Sequence, residues 1–131
     1  MEPRYPSASV DRRSAVKVTT DTRGRVTVLG VDETRLDLSN ADALKKLFTD
    51  MLEQGNRFVI DMGPVRFLDT YGIGALLWCW MRLNSCQGEL RVSSVSGPVR
   101  ELLELVKVSD ILEIRDSLER AIEELELEGD A

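Results

Sequence analysis

Val65-Arg66-Phe67-Leu68-Asp69-Thr70-Tyr71-Gly72-Ile73-Gly74-Ala75-Leu76-Leu77 is the stretch that decides how this chain is read. Just before it, Phe58-Val59-Ile60-Asp61-Met62 is a short, largely apolar run bounded by Gly55 and Gly63, and such runs suit a strand buried on both faces. Gly63-Pro64 breaks that strand. A helix then runs from about Tyr71 to Cys86 and stops near Gly88, with Ile73, Leu76, Leu77, Trp80 and Leu83 or Asn84 as its inner stripe. Strand, loop and helix together carry an acid, a hydroxyl and a ring (Asp69, Thr70, Tyr71) to a helix start. Open α/β sheets keep their functional groups in loops of this kind, beyond the carboxyl ends of the strands. Spacing alone leaves two readings. Asp and Thr are ordinary capping residues, and an acid is favoured at a helix N-terminus; Gly72 and Gly74 then simply let the helix pack close. In the other reading, Thr70 is a regulatory hydroxyl.

Upstream, residues 1–14 are polar, contain Pro3 and Pro6, and read as a flexible arm. Ala15 to Thr20 and Arg25 to Val31 alternate around a turn at Asp21-Thr22-Arg23-Gly24, which predicts a β-hairpin. Ser39 or Asn40 caps a helix over 41–53 whose stripe is Leu44, Leu47, Phe48, Met51 and Leu52, ended by Gly55. Downstream, Glu89 to Ser93 is a strand. Pro98 opens a helix to about Val106 with Leu102, Leu103 and Val106 inward. Ile111 to Ile114 is a further short strand. Asp116 or Ser117 caps a last helix, near 117–126, with Leu118, Ala121, Ile122 and Leu125 as its stripe. The order β-β-α-β-α-β-α-β-α predicts one α/β domain over 15–127, with a mixed, mostly parallel sheet of about five strands, four helices, and a short tail at 128–131. Leu44, Phe48, Val59, Ile73, Leu76, Leu77, Leu103 and Ile122 are the expected core.

Composition bounds the function. The chain has 131 residues, 43% hydrophobic and 31% charged, which suits one soluble domain. No apolar run is long enough to cross a bilayer and residues 1–10 hold no signal-like apolar core, so a cytoplasmic location is expected. There is no histidine, which removes the commonest general base and metal ligand. Neither a metal site, nor a cofactor, nor a catalytic constellation is expected. Cys79 and Cys86 lie seven residues apart on one predicted helix, so about 10 Å apart along its axis. Disulfide geometry wants Cα atoms within about 7 Å, and packed thiols are expected instead. The net charge of −6 disfavours nucleic acid or an anionic membrane as partner. The charge is uneven: residues 1–25 hold six Lys/Arg and three Asp/Glu, and residues 101–131 hold three and eleven. The acidic end reads as a solvated helix face or as a docking surface for a basic partner.

Four pieces, in order, resemble the STAS domain, the fold of bacterial anti-sigma factor antagonists. They are Arg25 to Gly30, Gly55 to Asp61, Val65 to Leu77, and Gly88 to Val106 with its Val92-Ser-Ser-Val-Ser-Gly-Pro-Val-Arg-Glu-Leu-Leu103 run. The resemblance implies that Thr70 stands where the family has its phosphorylatable serine, with Asp69 the acid before it. It implies partner switching: the unmodified protein binds an anti-sigma factor, often a serine/threonine kinase, and frees the sigma factor. Phosphorylation by the kinase releases it, and a phosphatase resets it. Asp69, Thr70, Tyr71, Gly72 and Trp78 are then the candidate partner contacts, and the Thr70 hydroxyl is expected to face solvent. Trp80 falls on the inner stripe; Trp78 is either an exposed hot spot or a covered ring. Two residues depart from the family pattern: Thr70 replaces the usual serine and Tyr71 a small hydroxyl residue. The rival reading is a non-phosphorylated STAS scaffold, as a subunit of a stressosome-like or membrane transport complex.

Overall fold

A computed structural model of the chain describes residues 16–128; the arm expected at 1–14 and residues 129–131 of the tail lie outside them. β1 (Val18–Arg23) and β2 (Val26–Val31) form the antiparallel hairpin. The turn is tighter than expected. Strand pairing continues through Asp21, Thr22 and Arg23, and the two loop residues are Gly24 and Arg25, with Gly24 at φ +62°. A glycine in the first loop position supplies the positive φ that two-residue hairpin turns favour. Asp21, read as a turn residue, is buried, and its carboxylate accepts from Arg23 Nε at 2.9 Å and from the Thr22 amide at 2.8 Å. That pairing lets a polar triplet stay in a strand.

β3 (Arg35–Leu36), α1 (Ala41–Met51), β4 (Arg57–Asp61), β5 (Phe67–Leu68), α2 (Thr70–Ser85), β6 (Glu89–Ser93), α3 (Gly97–Leu105), β7 (Ile114–Arg115) and α4 (Leu118–Glu128) follow. The main sheet runs β1-β2-β4-β6-β7, and every pair after the hairpin is parallel. This is the expected α/β architecture: four helices on a five-stranded, mostly parallel sheet. The last helix continues through Glu128, one residue into the expected tail. The last strand begins at Ile114, because Val108–Asp110 form a 3₁₀ turn and Ile111 lies outside it, exposed. α1, α2 and α3 share one core with Leu29, Phe58, Ile60 and Val92, while α4, alone among the described helices, covers Val26, Val28 and Val59 on the opposite face.

Most expected core residues are buried: Leu44, Phe48, Val59, Leu76, Leu103 and Ile122. Ile73, Leu77 and Trp80 are only partly buried, and Val106 is exposed. On α2 the inward face is Gly72, Ala75, Leu76, Cys79 and Leu83. The sequence reading placed the largest apolar residues inward. The helix instead turns its smaller side to the sheet, because a neighbouring strand comes too close for bulk. A Cβ on Gly72 would lie 2.2 Å from the Leu36 carbonyl oxygen of β3.

Candidate functional site

β3 and β5 form a two-residue parallel ladder of their own, pairing Arg35 with Phe67 and Leu36 with Leu68. The Thr34 carbonyl accepts from the Arg66 and Phe67 amides at 2.8 and 3.1 Å, which fixes the strand that leads into α2. Nothing in the hydrophobic period announces so short a ladder. It sets the loops around the start of α2.

Asp69 is the N-cap residue of α2. Its Oδ1 accepts from the amides of Tyr71 at 2.9 Å and Gly72 at 3.0 Å, and its Oδ2 accepts from the Leu38 amide at 3.2 Å. One carboxylate therefore satisfies two of the free N–H groups at the helix start and pins the β3–α1 loop beside it. Thr70 is the first helical residue and is exposed. Its hydroxyl has no hydrogen-bond partner among the described residues. Capping and exposure, the two readings open at this pair, thus fall on different residues: Asp69 caps, and Thr70 faces solvent.

Tyr71 is 55% exposed, and two further apolar side chains border the same helix start: Leu38 at 65% and Phe67 at 42%. The Arg35 guanidinium sits 4.2 Å from the centre of the Phe67 ring. Sequence reasoning missed Leu38, Phe67 and Arg35 because the β3–β5 ladder brings them there. The available signal was Leu38, a lone leucine in the polar run Asp37-Leu38-Ser39-Asn40. Asn40 does not cap α1 with its side chain. It accepts from the Asp37 amide and donates to the Arg35 carbonyl, both at 2.8 Å, so it braces this loop instead.

Asp69, Thr70 and Tyr71 are thus brought together. Gly72 is buried against Leu36, so it shapes the site from behind. Trp78 lies two turns further along α2, about 12 Å from Thr70 along the axis. It is half-buried and meets Phe48 of α1 edge-on, with ring centres 6.4 Å apart and 75° between planes. Among the described residues no cluster of His, Cys, Asp or Glu has metal-binding geometry, and no helix is long and apolar enough to cross a membrane.

Among the described residues the site thus sits at the capped junction between β5 and α2, on a sheet with three helices on one face and one on the other. The STAS domain family matches residues 17–121, and the chain belongs to it. Among characterised relatives, it is similar to the anti-sigma F factor antagonist of Paenibacillus polymyxa, at 28% identity over 94 residues, covering 70% of this chain and 80% of the relative. Among solved structures, it is similar to an anti-sigma factor antagonist from Mycobacterium paratuberculosis, with TM-score 0.75 and 20% identity over 85% of this chain and 94% of that one. A sulfate transporter family protein from Wolinella succinogenes is alike to the same degree, with TM-score 0.75 and 19% identity over 85% and 93%. Likeness at these identities shows the fold alone.

Proposed function

We propose that this chain is an anti-sigma factor antagonist, which binds an anti-sigma factor of the serine/threonine kinase type at the start of α2 and lets go when Thr70 is phosphorylated. One observation carries the reading: the Thr70 hydroxyl is exposed and unused by the fold, since Asp69 alone caps the helix. A hydroxyl with a structural task resists modification; this one has no partner among the described residues. The relatives named as anti-sigma factor antagonists support the partner class.

The kinase transfers the γ-phosphoryl of ATP to the Thr70 oxygen, which loses its proton, and ADP leaves. The product carries about −1.5 to −2 charges. It sits in the first turn of a helix, where the dipole tolerates anions, so the fold survives. The partner meets the charge differently. The surrounding surface is Leu38, Phe67 and Tyr71, and a partner that buries those side chains must also strip water from the phosphate beside the Asp69 carboxylate. Desolvation and repulsion then end the contact.

The test is calorimetry of wild type, Thr70→Ala and Thr70→Glu against the purified cognate anti-sigma factor at fixed salt. Thr70→Ala binds as wild type and no longer responds to kinase and ATP, while Thr70→Glu folds normally and binds poorly. Equal affinities for Thr70→Glu and wild type, both folded, overturn the switch and leave a non-phosphorylated scaffold.

A further inference from the structure

The exposed side of α2 does not end at Tyr71. Residues at i, i+3, i+7 and i+11 share a helix face, which places Gly74, Trp78 and Arg82 in line with Tyr71 along the outer edge of α2 that faces α1. Two features of this line have no explanation inside the chain. The first is Gly74. A glycine inside a helix costs about 0.5–1 kcal/mol relative to alanine. Gly72 is required by the Leu36 carbonyl, but Gly74 is exposed, and a Cβ there would meet nothing within 4 Å. The fold has no use for the missing side chain, whereas a partner backbone passing over the helix does.

The second is the groove that Trp78 floors. α1 and α2 leave a cleft of about 470 Å³ lined by Trp78 and by Asp42, Lys45, Lys46, Thr49 and Asp50. Lys45 Nζ lies 5.7 Å and the Arg82 guanidinium 5.3 Å from the Trp78 ring centre. Lys45 is paired with Asp42 at 3.4 Å. Lys46 and Arg82 have no carboxylate partner among the described residues. The residues lining the groove balance, Lys45 and Lys46 against Asp42 and Asp50; Arg82, over the Trp78 ring and outside that lining, adds one positive charge on a chain whose net charge is −6. An aromatic floor with unpaired cations on the rim fits apolar side chains flanked by carboxylates, and the trough between two helices fits a third helix.

We infer that the α1–α2 groove beside Trp78 is a second contact site for the anti-sigma factor, and that it receives a helix of that partner bearing carboxylates beside an apolar side chain. The inference rests on the functional reading above: it extends the same interface from Thr70 down α2, and Gly74 is the place where the partner backbone crosses between the two parts. Thr70 then supplies the switch and the groove supplies choice among partners, since charge pairing at a rim governs specificity and encounter rate.

Calorimetry against the purified anti-sigma factor that the wild-type chain binds, at low and at physiological salt, tests it with four variants. Lys46→Glu/Arg82→Glu changes two exposed side chains, and lowers affinity about tenfold at low salt while flattening the salt dependence. Gly74→Gln keeps or raises the melting temperature and lowers affinity about tenfold. Trp78→Ala loses affinity similarly, and the charge variant covers the case in which losing its packing on Phe48 unfolds the protein. Thr70→Glu is the control for the switch. If Thr70→Glu loses binding while the charge and Gly74 variants bind as wild type, the groove site is overturned and the switch stands. If no anti-sigma factor binds, or Thr70→Glu binds as wild type, the functional reading falls and this one with it. Self-association of the wild type abolished by the same charge reversal also overturns it, because the groove then belongs to a second copy.

Discussion

Asp69 and Thr70 are neighbours with opposite duties, and substitution separates them. Asp69 accepts three backbone amides, so Asp69→Ala is expected to lower stability by about 0.5–2 kcal/mol. The Thr70 hydroxyl has no partner among the described residues, so Thr70→Ala is expected to stay within about 0.5 kcal/mol of wild type. Urea melts of the two variants check this, and a reversed order assigns the capping role to Thr70. The two cysteines divide in the same manner. Both are free; Cys79 is buried and burial pushes its thiol up to about 12, whereas Cys86 is exposed. A thiol reagent at pH 8 is expected to label Cys86 in the native protein and to reach Cys79 only on unfolding. Rapid labelling of both in the folded state shows that α2 opens more readily than its packing implies.

α2 is the element on which expectation and structure diverge most usefully. Its period was legible, and Leu76 and Leu83 lie inward as read. The stripe is nonetheless rotated toward Gly72, Ala75 and Cys79, leaving Ile73, Leu77 and Trp80 on a flank. Hydrophobicity alone ranks a large residue ahead of a small one, but a helix lying on a close strand can bring only small side chains to the nearest approach. Leu76→Ala, and Leu103→Ala on α3, are each expected to cost about 2–5 kcal/mol, because both side chains are fully buried in the same core. Leu77→Ala is expected to cost less than Leu76→Ala. Equal losses in denaturant melts restore the stripe read from sequence. The helix start was legible too, as an acid and a hydroxyl before a glycine, yet not which of them caps. In the structure Asp69 caps through Oδ1, and its second oxygen takes the Leu38 amide from the loop that follows β3.

At the scale of the molecule, α4 is the one helix among the described residues on its face of the sheet, and charge as well as the Val26, Val28 and Val59 contacts holds it there. Glu124 accepts from Arg91 Nε at 3.0 Å and from Arg115 Nε at 2.8 Å, joining α4 to β6 and β7. The hydrogen bond from Arg115, with that from Arg91 adding to it against a partial burial cost, holds the Glu124 carboxyl down at about 2 from an ordinary 4.5. The folded pKa lies below the unfolded one, so the pairing stabilises fully above about pH 4.5 and is lost as pH falls toward about 2. Glu124→Gln is expected to be less stable than wild type at pH 7, with the gap narrowing as pH falls through about 2. Melts across that range test it, and a gap independent of pH removes the electrostatic account. Arg91, nearly buried beneath α4, makes the pair more than a surface ornament, since removing Glu124 takes a carboxylate from a desolvated guanidinium.

The sequence by itself determined the four helices, the strands of the main sheet with their one antiparallel hairpin, and the residues at the start of α2. Each of these is written in short-range patterns: periods of two and 3.6, glycine and proline stops, and capping residues next to the helix they cap. Only the tertiary structure decided which side of α2 faces inward, that Leu38 and Phe67 join Tyr71 around Thr70, and that Trp78 floors a groove with α1. Those facts depend on contacts between segments far apart in the chain, such as Leu36 with Gly72 and Phe48 with Trp78. No local pattern encodes such contacts, because the two halves of each are brought together only when the whole sheet forms.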